Sequence, residues 1–174
     1  MAIREILKYP DPRLKEVSHP VEWVTEEISN LIDDLIETMY SSPGGVGIAA
    51  PQVGEQKRII VFDVSKHKKA NSHHGLTVII NPTILSRRGR QVVREGCMSV
   101  PDYTGNVERA TWILVEGLDR FGNQTVIEAE GFEAVVIQHE IDHLDGILFL
   151  DRITSVKGNL FRRKVYKKPA QQKQ

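Results

Sequence analysis

The segment Phe132–Leu144 constrains this chain more than any other. Its apolar positions lie nearly all round a helix, which predicts a buried helix rather than a surface one. Within it stands His139-Glu140-Ile141-Asp142-His143. Residues four apart share a helix face, so both imidazoles reach one metal ion. Glu140 lies one residue along and can lean over the same ion to take a proton from bound water. The plainer alternative is a helix with two satisfied core histidines and an exposed glutamate.

Two ligands are too few for a catalytic ion, which takes about three protein ligands and keeps one open position. Six residues after His143, where one zinc-peptidase pattern has a third histidine, stands Phe149. Glu140 is the last glutamate, and no His or Cys follows His143. Of the downstream acids, Asp145 lies too close along the helix to aim at the same point, and the other is Asp151. The third ligand is therefore expected upstream. The single cysteine is there, in Glu95-Gly96-Cys97-Met98-Ser99-Val100-Pro101. A lone cysteine is usually a small buried hydrophobe. Here Gly96 lets backbone come close, and a metal-bound thiolate explains one Cys in an otherwise Cys-free chain.

With 174 residues, 40% apolar and 26% charged, the chain fits one domain, residues 1–174, of ordinary globular composition. One cysteine excludes an intramolecular disulfide and suits a reducing compartment. There is no apolar run of the ~20 residues a membrane span needs, and no signal-peptide core in MAIREILKYPDPRL. A cytoplasmic protein without membrane contact is expected. Net charge is zero but uneven. Residues 152–174 hold eight bases and no acid, which leaves 15 bases against 23 acids elsewhere, a net of −8. A polyanionic partner for that tail and a merely solvated terminus both fit.

Thr25 is the expected N-cap of a first helix, with Glu26 and Glu27 in its first turn. Ile28, Leu31, Ile32, Leu35, Ile36 and Met39 form one apolar face up to about Tyr40. Strands are expected at 58–64, 76–80, 83–86, 91–94 and 107–118, with a hairpin turn at 119–123 into 124–129. Residues 66–75 read as an exposed loop containing His73-His74. A basic amphipathic helix is expected from about Ser155 to Lys167.

A third segment, Gly45-Val46-Gly47-Ile48-Ala49-Ala50-Pro51-Gln52, is small and apolar. It lacks the Lys-Ser/Thr of a phosphate loop. Such a stretch marks either tight packing or a place where a substrate backbone adds as an extra strand. Gln52 is able to donate a hydrogen bond to a carbonyl that gains charge.

Together the three segments resemble the peptide deformylases, whose pattern is Gly-x-Gly-x-Ala-Ala-x-Gln, Glu-Gly-Cys-Leu-Ser and Gln-His-Glu-x-Asp-His-Leu. The first and third are present in full, as Gly45–Gln52 and Gln138–Leu144; the second has Met98 in place of Leu. The resemblance covers about residues 3–165. It implies an α+β fold: small mixed or antiparallel sheets around a central buried helix that carries His-Glu-x-x-His, with an N-terminal and a C-terminal helix.

It also implies a hydrolase that removes the formyl group from the formyl-methionine of new polypeptides and releases formate. The implied metal is Fe2+, with Zn2+, Ni2+ or Co2+ able to replace it. Carried over by position, Cys97, His139 and His143 are the ligands and Glu140 is the general acid/base acting on metal-bound water. Gln52 and the Met98 backbone N–H stabilise the oxyanion. Gly45, Val46, Gly47, Gly96, Met98, Val135 and Val136 meet the substrate, and Glu95 with Arg109 forms an ion pair behind the ligands. The basic residue usual just after the Cys segment is absent, since Asp102-Tyr103-Thr104 stands there. The implied partners are N-formylmethionyl nascent peptides and, through the basic C-terminal segment, the ribosome; no sequence-specific nucleic acid is expected. A different metal amidase and a non-catalytic metal-binding module stay open. Glu140 argues against the latter, because a structural site needs no base beside its metal.

Overall fold

The computed structural model describes residues 2–153 and 155–163. The first helix, α1, is Glu26–Ser41. The Thr25 hydroxyl accepts from the Ile28 N–H at 3.2 Å, so the expected cap is in place. Strands follow at β1 Gly47–Ala49, β2 Ile59–Phe62, β3 Thr77–Arg88, β4 Gln91–Cys97, β5 Val100–Arg109, β6 Trp112–Leu118 and β7 Gln124–Glu130. Then come the buried helix α2, Gly131–Leu144, a single turn α3, Phe149–Arg152, and β8, Leu160–Arg162.

Among the described residues two sheets form, ordered β1-β2-β3-β6-β7 and β4-β5-β8. Every strand pair in them is antiparallel. The β2 sequence Ile59-Ile60-Val61-Phe62 is apolar throughout because both of its faces are covered. Ile60 and Phe62 join the core beneath α2, with Ile137 and Ile141. Ile59 and Val61 join the core beneath α1, with Leu31, Ile32 and Leu35. A period-2 chain between two helices has no solvent side to make polar. A third core of Leu14, Cys97, Val100, Val107, Leu148 and Phe149 lies under the small sheet.

Three expectations change. The run 107–118 is two strands in different sheets. At the break, Ala110 N–H donates to Gln138 Oε1 and Ala110 C=O accepts from Gln138 Nε2, both at 3.0 Å. A side chain of α2 thus takes the bonds a neighbouring strand would have made, and the chain leaves one sheet for the other. The runs 76–80 and 83–86 are one strand, bent at Asn81, whose side chain ties both backbone groups of Val21 at 2.8 Å. The expected C-terminal helix is replaced, over its described part, by a turn and β8, which pairs with β5 as Thr104 opposite Phe161. Residues 164–174, the rest of that expected helix and half of the bases of the tail, lie outside the described residues. No helix among the described residues is long and apolar enough to cross a membrane.

Candidate metal centre

Helix α2 buries Glu133, Gln138, Glu140, Asp142 and His143. A buried polar group costs a few kcal/mol unless it is hydrogen-bonded, so their partners define the site. Glu133 accepts from the His74 backbone N–H at 2.7 Å and meets His74 Nδ1 at 2.5 Å. His73-His74 is thus no second site; His74 closes the start of α2. Asp142 accepts from Arg109 Nη1 at 2.6 Å and from Arg152 at 2.5 and 2.7 Å. His139 Nδ1 is 2.7 Å from Glu95 Oε1. Among the described residues of α2, two buried side-chain atoms have no partner: Glu140 Oε1 and His143 Nδ1.

The small sheet brings Cys97 to this helix. Cys97 sits at the end of β4, where a register shift after Gly96 turns the chain toward α2. Its Sγ is 3.3 Å from His143 Nε2. One donor atom each from Cys97, His139 and His143 lies within 4.8 Å of the others. Bonds of about 2.0–2.3 Å from a common centre place donors at such separations. With Nδ1 of His139 engaged by Glu95, its Nε2 is the nitrogen left for an ion, an arrangement that orients metal-binding histidines generally. The three residues therefore fit a divalent cation held by one sulfur and two nitrogens.

The electrostatics agree. Burial pushes the Cys97 thiol up, but His143 and His139 beside it bring it well below its ordinary value, so it is a ready thiolate. Burial also opposes the charge on Glu95, yet the fork from Arg109 (2.6 and 2.8 Å) and the contact with His139 lower its carboxyl from 4.5 to about 2. Glu140 has no such fork, and burial raises its carboxyl from 4.5 to about 7. In the metal-free protein the two carboxyls are thus held apart: Glu95 is fixed as an anion, and burial favours the neutral form of Glu140.

Gln52 is almost wholly buried in a tight turn after β1. Ala49 N–H donates to its Oε1 at 3.0 Å, so its Nε2 must point the other way, 3.1 Å from Ser99 Oγ and 3.5 Å from Cys97 Sγ. Gly47 is small for a local reason: a Cβ there would stand 2.6 Å from Glu140 Oε2 and 2.9 Å from Val136 Cγ1. The small-residue segment is thus both close packing and one wall of an opening.

That opening is a cleft of about 1450 Å³. Gly45, Val46, Gly47, Gln52, Glu95, Gly96, Cys97, Met98, Val135, Val136, His139 and Glu140 all line it. Arg109 and His143 stand behind that lining, fully enclosed. Sequence reading missed the tie from Asp142 to Arg109 and Arg152, the Ser99 hydroxyl beside Gln52, and the cations Arg94 and Arg163 on the cleft wall. An acid inside a buried helix was the available signal for the first. The others depend on long-range pairing and carried none.

Residues 3–159 match the family model described as polypeptide deformylase. The chain is 47% identical over 164 residues to a peptide deformylase of Thermodesulfovibrio yellowstonii, covering 94% of this chain and 97% of that one. Its fold is similar to the crystal structure of a peptide deformylase from Legionella pneumophila, with a TM-score of 0.82, 44% identity, and 90% and 89% of the two chains covered. A peptide deformylase from Ehrlichia chaffeensis in complex with actinonin aligns with a TM-score of 0.84 and 40% identity over 90% of this chain and 92% of that chain.

Proposed function

This chain belongs to the polypeptide deformylase family, an enzyme that removes the formyl group from the N-terminus of new polypeptides, and from that premise we propose how its residues divide the work. Cys97, His139 and His143 hold the metal, which is ferrous iron by the family resemblance, with zinc, nickel or cobalt able to take its place. Cys-His-His donors accept all of these ions. A cation held there supplies Lewis acidity, enough to make a water molecule lose a proton near neutral pH.

Glu140 takes that proton and later delivers it to the departing amine. The formyl C–N bond breaks, the water's oxygen leaves in formate, and the proton ends on the new amino group. The support for this role is one observation: Glu140 Oε1 is buried, without a partner, beside a Cys-His-His cluster. Burial raises the Glu140 carboxyl in the metal-free protein, and a group that takes and then returns a proton must be able to hold it in both states. Gln52 Nε2 and the Met98 N–H donate to the carbonyl oxygen as it gains charge. Gln52 is pre-aimed, because its oxygen is already used by Ala49. Gly45, Val46, Gly47 and Gly96 meet the substrate backbone, while Val135, Val136 and Met98 receive the methionine side chain. Glu95, clamped by Arg109, fixes the ring of His139.

We place the protein in the cytoplasm, at the sites where new polypeptides are made. The basic segment 152–174 docks on ribosomal RNA, where substrates emerge. Deleting residues 164–174 then weakens ribosome co-sedimentation in a salt-dependent way, and unchanged co-sedimentation contradicts the docking. For the chemistry, protein loaded anaerobically with Fe(II) releases formate from formyl-Met-Ala. Metal-saturated protein that releases none sinks the assignment.

A further inference from the structure

Beyond the ligands, the outward face of the small sheet carries charge that the reaction does not use. Strand β4 is an edge strand. Its side chains alternate, with Glu95 and Cys97 buried toward the metal centre and Arg94 and Gly96 exposed on the other face. Arg94 is held there, since its Nε donates to Thr104 Oγ1 at 3.0 Å and its guanidinium stacks 3.8 Å over the Phe161 ring of β8. Just past β8, the Arg163 N–H donates to the Asp102 carbonyl at 2.7 Å. The Arg163 side chain returns to lie on Gly96: a Cβ at that position would stand 2.4 Å from Nη2. The strand that replaces the expected helix thus delivers a cation beside the Cys segment, where the sequence lacks one.

Both guanidiniums line the cleft, as do Lys69 and Arg162. Neither Arg94 nor Arg163 has an ion pair among the described residues, whereas Arg90, Arg109, Arg120 and Arg152 each do. No acidic residue follows Asp151 to supply one. Among the described residues, the carboxylates lining the cleft are Glu95 and Glu140, both buried, and Glu95 is clamped by Arg109.

A peptide that lies along an edge strand also alternates its side chains. With the methionine side chain directed inward to Val135 and Val136, the next side chain faces outward, over Arg94 and Arg163. We propose that Arg94 and Arg163 make this enzyme select formyl-methionyl peptides whose second residue is acidic. The proposal rests on the deformylase reading above.

The test is kcat/KM of the metal-loaded enzyme on C-terminally amidated formyl-Met-Asp-Ser, formyl-Met-Ala-Ser and formyl-Met-Lys-Ser. At low ionic strength the Asp peptide is preferred over the Lys peptide by roughly fivefold or more, as expected for one or two partly exposed ion pairs. Added salt shrinks the ratio. The double variant R94Q/R163Q brings it close to one, Arg163→Glu inverts it, and Arg163→Lys keeps it, which separates charge from any effect on β8 folding. Equal rates of formate release on all three peptides, or a preference that R94Q/R163Q leaves intact, overturn the inference alone. No formate release from any of them overturns the deformylase reading with it.

Discussion

Helices α1 and α2 sit on opposite faces of β2 and follow opposite rules. Helix α1 buries Ile28, Leu31, Ile32, Leu35, Thr38 and Met39 along one stripe; Glu26 and Glu27 face solvent, Asp33 and Asp34 pair with Arg120 and Arg4, and Glu37 keeps one buried oxygen without a partner among the described residues. The helix is held mainly by apolar area, with ion pairs to Arg4 and Arg120 at its rim, and no residue of the candidate site lies on it. Helix α2 is buried almost all round and carries five polar residues inside. Ion pairs and hydrogen bonds from β4, β5, α3 and the 66–75 loop hold those groups. On α2 that satisfaction stops at Glu140 Oε1 and His143 Nδ1, and Glu140 lies beside the Cys97, His139 and His143 cluster. Stability and reactivity are thus separated between two helices that share one strand.

Substitutions test that separation, and the largest effect is expected at Glu140. Glu140→Gln lowers kcat/KM by about 10²–10⁴-fold, the usual worth of a general acid/base, with metal content and melting temperature kept. Retained activity breaks the assignment. Arg109→Gln comes next, because it takes both fork bonds from buried Glu95 and leaves Asp142 to Arg152 alone. A loss of about 3–5 kcal/mol in unfolding free energy is expected, with metal affinity weakened by about 10–100-fold, read by denaturant titration and chelator competition.

On α1, Leu35→Ala opens a cavity in a fully buried site. It costs about 2–5 kcal/mol while kcat/KM per folded molecule stays put. A selective loss of activity there denies that the two helices are independent.

The smallest effect is a pH dependence in metal-free protein. Glu95 drops from 4.5 to about 2 on folding, so its contribution is complete above the unfolded value and fades as pH falls from about 4.5 toward 2. Thermal melts should show a shallower acid decline in Glu95→Gln than in the parent chain. Parallel curves remove Glu95 from the network.

What the sequence made legible follows the same division. The stripe on α1 and its Thr25 cap are local, and period and chemistry alone locate them. The pair His139 and His143 is equally local. Cys97 required only the elimination of downstream donors. Features that depend on which distant segment answers a buried group were hidden. Gln138 splits 107–118 because it bonds both backbone groups of Ala110, 28 residues away. Asp142 gathers Arg109 from β5 and Arg152 from α3. Residues 160–162 have basic, helix-compatible neighbours in sequence, but the open edge of β5 offers backbone partners and makes them a strand.

The central claim is that β4 and α2 converge to give one sulfur and two nitrogens to a single ion. X-ray absorption of zinc-substituted protein tests it directly. The account predicts one sulfur scatterer at about 2.3 Å and two imidazole nitrogens at about 2.0–2.1 Å, with the sulfur signal lost in Cys97→Ser. A zinc site with no sulfur neighbour in the parent protein would contradict it.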